Sequence, residues 1–163
     1  MLIGIMSDSH DNMNAIRKAV NFFNQKNVDI VLHAGDYVSP FTAQEFDGLK
    51  MKLVGVFGNN DGDKSYLLER FKNIGELHES PYKFELDGKK IVLMHQSKSI
   101  DQLLKDKKYD VVIYGHTHKT DIRKHSALII NPGECGGWTT GRSTVAILDT
   151  KSPEITLPEI VDL

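Results

Sequence analysis

The predicted fold of this chain depends on one stretch, Tyr109-Asp110-Val111-Val112-Ile113-Tyr114-Gly115-His116-Thr117-His118. Its run of apolar, β-branched residues ends at a glycine and predicts a short strand that is buried on both faces. Gly115 allows the chain to turn sharply after the strand. The His-x-His pair that follows then lies at the carboxyl end of a strand, where ligands of open α/β sheets bind. We therefore expect both imidazoles to face one polar cluster.

Length and composition limit the classes of protein to which this chain can belong. Its 163 residues are 40% hydrophobic and 26% charged, which predicts a single globular domain over residues 1–163. The formal net charge of −2 argues against an extended nucleic-acid surface. The single cysteine, Cys135, cannot form an internal disulfide, and the apolar N-terminus is far shorter than a membrane span. We therefore expect a cytoplasmic protein with no membrane partner.

An apolar strand followed by a polar turn recurs through the first half of the chain. Strands are predicted over residues 2–6, 28–32 and 51–57, and a helical pattern follows each of them. These helices can be capped at their N-termini by Asn12, Ser39 and Asp63. Alternating strands and helices are typical of parallel βαβ units.

The pattern changes after the third helix. Two strand patterns flank Asp87-Gly88, which is a strong signal for a hairpin turn, and Ser99 can cap a helix that ends near Leu104. Short antiparallel strands are predicted over residues 121–124, 128–130, 143–148 and 154–157. We therefore expect a mixed α/β fold in which a two-sheet β-sandwich is flanked by helices.

Side chains of the metal-ligand type follow the predicted strands at separate places in the chain. If these strands share a sheet edge, the side chains converge there. Oxygen and imidazole donors without thiolate suit Mn, Fe, Ni or Zn better than a structural cysteine–zinc site. The set is too large for one four-coordinate ion and fits two ions bridged by a carboxylate. Its members are Asp8, His10, Asp36, Asn59, His95, His116 and His118.

Each of these signals also has a plainer structural explanation. Asp8 can cap the following helix, and Gly35-Asp36 suits an ordinary turn. The run Gly58-Asn59-Asn60-Asp61-Gly62 suits a turn with positive φ, and His95 suits a packed core histidine. Only the His-x-His pair favours a metal by itself, because two imidazoles so close together are unfavourable unless something binds both. The placement of the whole set at strand ends favours the metal centre.

These residues lie in short blocks, in a fixed order along the chain. The blocks are Asp8-Ser9-His10, Gly35-Asp36, Gly58-Asn59-Asn60-Asp61, His95 and Gly115-His116-Thr117-His118. They resemble the signature of the calcineurin-like metallophosphoesterase superfamily, and residues 131–134 and 142–149 resemble its small prokaryotic phosphodiesterase branch. The resemblance implies one metal held by Asp8, His10, Asp36 and His118. It implies a second metal held by Asp36, Asn59, His95 and His116, with Asp36 bridging.

The resemblance also implies a function, hydrolysis of a small phosphodiester by a hydroxide that bridges two divalent metal ions. Mn²⁺ is the first choice, and Ni²⁺, Fe²⁺ and Zn²⁺ are the alternatives. We count Asp61 and Asn60 as catalytic residues, with Asp61 expected to orient a neighbouring histidine. Many family members carry at position 60 a histidine that protonates the leaving group. Asn60 has no proton to give at a useful pKa.

This departure from the family pattern leaves a second function open. A small eukaryotic trafficking subunit shares the implied fold and acts as a protein-binding scaffold, so the chain can also be interpreted as a catalytically weak metal-binding scaffold. The complete ligand set favours the enzyme. Trp138 fits either the mouth of the pocket or a homodimer contact, and Arg142 fits either a phosphate clamp or a surface role.

Overall fold

The centre of the protein consists of two β-sheets, seen in a computed structural model that describes residues 1–151 and 159–163. The strands are β1 (Leu2–Met6), β2 (Ile30–His33), β3 (Leu53–Val56), β4 (Gly75–His78), β5 (Tyr82–Leu86), β6 (Lys89–Leu93), β7 (Val111–Ile113), β8 (Thr120–Lys124), β9 (Leu128–Pro132), β10 (Thr144–Asp149) and β11 (Glu159–Asp162). The helices are α1 (Met13–Lys26), α2 (Ala43–Phe46), α3 (Lys64–Phe71) and α4 (Ile100–Asp106), with 3₁₀ turns at Pro40–Thr42 and Ser97–Ser99.

The first sheet has the strand order β11-β10-β1-β2-β3-β4, and its strands β1 to β4 run parallel. Helix α1 packs on this sheet because its apolar residues recur with helical spacing and are buried. Its N-terminus is capped by Asn12, whose side chain accepts a hydrogen bond from the backbone N–H of Ala15. Asp63 caps α3 in the same way. The predicted βαβ units and these two caps are therefore confirmed.

The second sheet has the order β5-β6-β7-β9-β8, so the strand of the opening stretch lies in its middle. Val111 and Ile113 belong to the core between the sheets, whereas Val112 packs against the α4 residues Ile100 and Leu103. Burial of both faces explains why this run of sequence is continuously apolar. The layers are thus α1 to α3, the first sheet, the second sheet and α4. The predicted helix-flanked sandwich is confirmed.

The hairpin between β5 and β6 has the predicted turn. Leu86 pairs with Lys89, and Asp87 and Gly88 between them have φ angles of 50° and 69°. Positive φ at both central residues is what a two-residue turn of this hand requires.

Several details differ from the sequence prediction. Strand β4 was not predicted, because it is a short edge strand in which only Leu77 is buried. Strand β9 was expected to be antiparallel, but it pairs antiparallel only with β8 and runs parallel to β7. Ser99 was expected to cap α4, but its side chain makes no capping hydrogen bond. The strand predicted over residues 154–157 lies outside the described residues. Among the helices of the described ranges, none is long and apolar enough to cross a membrane.

Because α1 packs closely on β1, adding one methyl group at Gly4 should lower the stability of the protein. A Cβ at Gly4 would lie 2.7 Å from Cδ1 of Phe23, a ring that is fully buried. Gly4→Ala should therefore lower the free energy of unfolding by about 1–3 kcal/mol, measured by urea denaturation. Gly48→Ala is the matched control, since the nearest atom to its Cβ is 3.6 Å away. Equal unfolding midpoints for the two variants would contradict this account of the packing.

Candidate metal centre

The loops after five strands meet at one end of the sandwich. β1, β2 and β3 are parallel neighbours in the first sheet, and β6 and β7 are parallel neighbours in the second. Their carboxyl ends therefore present their following loops to the same region. These loops carry all the residues of the predicted ligand set, Asp8, His10, Asp36, Asn59, His95, His116 and His118.

Asp8, His10 and His118 form one compact group, in which the candidate ligand atoms lie within 4.8 Å of one another. The Nε2 atoms of the two histidines are 3.3 Å apart, and His118 Nε2 lies 3.5 Å from Asp8 Oδ1. Asp8 is buried, whereas both imidazoles are partly exposed. The group is therefore buried at its carboxylate and open to solvent at its two histidines.

Asp8, Asp36 and His95 form a second group under the same distance limit. Asp36 Oδ2 lies 3.5 Å from Nε2 of His10 and 3.3 Å from Nε2 of His95, so its carboxylate stands between the two groups. The side-chain oxygen of Asn59 lies 2.9 Å from Nε2 of His95. Asn59 thus adds a neutral oxygen donor beside the second group.

His116 is placed differently from the other predicted ligands. Its exposed ring lies 5.1 Å from the ring of His95, centroid to centroid, and is outside both compact groups. Its backbone N–H donates to both carboxylate oxygens of Asp8, at 3.0 and 3.2 Å. The structure therefore brings His116 to the rim of the cluster, with its main chain fixing Asp8.

The arrangement around His95 fits a bound cation. Its Nδ1 lies 2.8 Å from the carbonyl oxygen of Ala34, so this nitrogen carries the proton in the neutral ring. Nε2 then presents a lone pair to the oxygens of Asn59 and Asp36. Three acceptors that face one another repel unless a proton or a metal ion lies between them. The donor set is of the imidazole and oxygen type that divalent transition metals accept.

The charges at the centre point the same way. Asp8 and Asp36 are buried, and within the described residues neither is paired with a lysine or an arginine. Burial acts to raise the pKa of Asp36, but the adjacent His95 imidazole and the hydrogen bonds from Asn60 prevail and hold it well below its usual range. The neighbouring Asp8 carboxylate, 3.8 Å from Nε2 of His10, raises the pKa of His10. Two buried carboxylates without a lysine or arginine partner in the described residues call for positive charge from elsewhere, which bound metal ions would supply.

The backbone adopts an unusual conformation at five of the predicted ligands. Asp8, His10, Asp36, His116 and His118 have φ angles between 40° and 68°, a left-handed region that costs non-glycine residues of order 1–3 kcal/mol each. Such strain persists where the surrounding structure compensates for it, and it is concentrated at functional sites. Here the left-handed residues turn neighbouring side chains into one cluster.

Gly115 has a different physical role from the predicted one. Its φ is not in the left-handed region. Instead, a Cβ at this position would collide with Oγ of Ser7 and would lie 2.7 Å from Oδ2 of Asp8. The glycine is needed because the loop after β7 approaches the Asp8 carboxylate closely.

Asn60 and Asp61 serve as positioning residues in the structure. The backbone and side-chain N–H groups of Asn60 donate to the two oxygens of Asp36, both at 2.8 Å. Asp61 was expected to orient a histidine, but its described hydrogen bonds are all from backbone N–H groups, those of Asp36, Val38 and Gly58. Its carboxylate therefore ties the loop after β2 to the loop after β3.

Glu134 is a residue of the site that the sequence prediction missed. This buried carboxylate lies 3.0 Å from Nδ1 of His118, so it holds the proton on that nitrogen and leaves Nε2 free for the cluster. Burial acts to raise its pKa, but hydrogen bonds from Thr140 and Thr139 prevail and lower it. Glu134 follows β9, which runs parallel to β7. Recognising β9 as a parallel strand would have placed Glu134 at the same edge.

Three further residues lie at different distances from the metal centre. Trp138 is 66% exposed, and its indole N–H donates to the carbonyl oxygen of His10, so it lies at the rim of the centre. Arg142 forms an exposed two-pronged ion pair with Asp162, which favours the surface role. His33 is fully buried, and burial lowers its pKa to about 3.

The sequence and the fold match known proteins over almost the whole chain. The calcineurin-like phosphoesterase superfamily domain matches residues 1–153. A phosphodiesterase from Methanocaldococcus jannaschii is 43% identical over 159 residues, which are 94% of this chain and 96% of that protein. A solved structure described as that of a novel archaeal phosphodiesterase superposes with a TM-score of 0.93 at 40% identity, covering 100% of both chains.

The fold is also found in more distant proteins. The structure of Vps29 from Entamoeba histolytica in complex with Zn²⁺ superposes with a TM-score of 0.69 at 18% identity and covers 99% of both chains. At this identity the likeness shows a common fold and carries no statement about function.

The contact between Glu134 and His118 predicts an effect on metal affinity. Glu134→Gln removes the carboxylate that orients the imidazole, so metal should bind about 10–100-fold more weakly, measured by competition with a chelator. Glu69→Gln on the exposed face of α3 is the matched control and should bind metal as the parent does. Circular dichroism checks that both variants are folded. Parent-like metal affinity in a folded Glu134→Gln variant would show that the contact with Glu134 does not affect metal binding by His118.

Proposed function

The chain belongs to the calcineurin-like phosphoesterase superfamily, and we propose that it uses two divalent metal ions to hydrolyse small phosphodiesters. One observation carries the proposal: buried carboxylates and the Nε2 atoms of His10, His95 and His118 face one another, with no lysine or arginine beside the carboxylates in the described parts of the chain. The 43% identity to an archaeal phosphodiesterase over nearly the full length supports a diester as the substrate.

The proposed ligands divide between two ions. Asp8, His10, Asp36 and His118 hold the first, and Asp36, Asn59, His95 and His116 hold the second. The position of the Asp36 carboxylate between His10 and His95 supports its role as the shared ligand. Mn²⁺ is the proposed metal, with Ni²⁺, Fe²⁺ and Zn²⁺ as alternatives, because the donors are nitrogen and oxygen.

The bound metal pair would supply a water of lowered pKa as the nucleophile and positive charge for the phosphate oxygens. The chain's own residues supply position and orientation. Glu134 and the Ala34 carbonyl keep the Nδ1 protons of His118 and His95 in place, so that the Nε2 atoms face the cluster. Asn60 holds both oxygens of Asp36.

Asn60 also bears on how the leaving group departs. Its amide donates to Asp36, and an amide is too weak an acid to protonate a departing alkoxide. We propose that the enzyme acts on esters whose leaving oxygen needs little protonation. The alternative function, a metal-binding scaffold, predicts metal binding without turnover. A homodimer and a cytoplasmic location stay predictions from the sequence.

The shared carboxylate gives the first test of this function. Asp36→Ala should lower the metal content from two ions per chain towards none, because both sites lose a ligand together. Elemental analysis of the purified protein measures the content, and Asp47→Ala, an exposed residue at the end of α2, is the control. Full metal content with turnover in Asp36→Ala would overturn the bridging assignment.

The leaving group gives the second test. Diesters with aryl leaving groups should be hydrolysed much faster than alkyl diesters, since general acid catalysis, typically worth ~10²–10⁴-fold, is missing. A series of diesters with leaving groups of increasing pKa, assayed with each candidate metal in turn, measures the dependence. Equal rates across the series would reveal an unrecognised acid. Metal binding without hydrolysis of any member would favour the scaffold.

A variant at position 60 sharpens that test. Asn60→His introduces a side chain that can donate a proton, so the ratio of alkyl to aryl rates should rise. The ratio is the informative quantity, because loss of the contact with Asp36 lowers both rates. Asn60→Ala is the matched control and should keep the parent ratio. An unchanged ratio in Asn60→His would show that the side chain at position 60 does not protonate the leaving group.

A further inference from the structure

A cavity of about 350 Å³ opens directly beside the candidate metal centre. Asn59 and His95 both line it, so the cavity shares His95 with the second metal group and Asn59 with the donors beside it. Its apolar surface comes from Phe57, Pro81 and Met94. The volume lies at the lower end of the range for small-molecule sites and is sufficient for one nucleoside-sized group.

Hydrogen-bonding groups also line this cavity. Oγ of Ser80 accepts a hydrogen bond from the backbone N–H of His95 at 2.9 Å, so its own proton is available for a ligand. Gln96 and Ser99 add further polar side chains from the loop that follows β6. A ligand in the cavity would therefore meet donors next to the residues of the metal centre.

The cavity contains two lysines, and their surroundings differ. Lys64 donates to both carboxylate oxygens of Glu79, at 2.9 and 2.8 Å, and lies 5.1 Å from the ring centroid of Phe57. Its charge is thus compensated. Lys98 is exposed and forms no hydrogen bond or ion pair with any residue in the described part of the chain. Lys98 therefore gives the cavity one uncompensated positive charge.

We propose that this cavity binds one ester arm of the substrate, and that Lys98 selects arms that carry a second anionic group. The inference rests on the proposed function, since it assumes that the scissile phosphate binds at the metal centre. A monoanionic diester would use only the metals, whereas a second phosphate on the arm would also meet Lys98. The substrate class is therefore a small phosphodiester with a further phosphate on a nucleoside-sized arm.

Two chromogenic substrates with the same leaving group isolate this effect. One is the p-nitrophenyl ester of thymidine 5′-phosphate, and the other carries an additional 3′-phosphate. The parent should prefer the second by about fivefold in kcat/KM at low salt, mainly through KM, as expected for one partly solvated charge pair. The preference should shrink as ionic strength rises, because salt screens exposed charges.

Variants test whether Lys98 is the source of this preference. Lys98→Gln should bring the ratio of the two kcat/KM values close to one, and Lys98→Arg should retain it. Glu79→Gln should increase the ratio, because it removes the carboxylate that compensates Lys64. Lys108→Gln is the control, since Lys108 is exposed and outside the cavity. A parent-like ratio in Lys98→Gln would overturn the proposal.

A binding measurement separates this inference from the proposed function. Calorimetry on the metal-loaded protein should show thymidine 3′,5′-bisphosphate binding about fivefold more tightly than thymidine 5′-phosphate, with the difference lost in Lys98→Gln. If the protein hydrolyses bis(p-nitrophenyl) phosphate but shows no preference for the 3′-phosphate in kcat/KM or in binding, the subsite is refuted and the proposed phosphodiesterase activity stands. If no diester is hydrolysed, the proposed function is refuted. The binding difference between the two thymidine phosphates would then show by itself whether Lys98 forms an anion subsite.

Discussion

The buried carboxylates of Asp8 and Asp36 impose the constraint around which this end of the protein is built. Neither has a lysine or arginine partner in the described residues, so their charges depend on hydrogen bonds and on cations. The main chain of His116, the side chain of Ser7 and both N–H groups of Asn60 supply the hydrogen bonds. Loops from both sheets must therefore approach closely, and the left-handed residues make that approach possible.

A second set of contacts keeps the ligating atoms in position. Glu134 and the Ala34 carbonyl determine which nitrogen of His118 and of His95 carries the proton. Asp61 joins the loops after β2 and β3 through backbone N–H groups. Burial raises the pKa of Asp61, and the hydrogen bonds from the N–H groups of Gly58 and Val38 oppose that rise. The geometry of the centre thus depends on residues that need not touch a metal or a substrate.

The same fold occurs in archaeal phosphodiesterases and in Vps29 proteins, so the architecture alone does not determine the function. In this chain, the proposed function rests on the set of donors at the strand ends and on the residues that surround them. Asn60 donates to Asp36, and the adjoining cavity carries Lys98, which has no ion pair with any residue that the structure describes. In the proposed function these features act on the leaving group and on the choice of substrate, whereas the sheets only bring them together.

By itself, the sequence determined the elements that follow from local patterns. The apolar run of β7, the Asp87-Gly88 turn and the Asn12 cap depend on residues close together in the chain, and all three are as predicted. Placement at strand ends also identified the candidate ligands. Only the tertiary structure decided the contact of Glu134 with His118, the backbone partners of Asp61 and the cavity beside His95. The physical reason is that these contacts join separate loops, and the pairing of β9 with β7, which brings Glu134 to the centre, has no local signal.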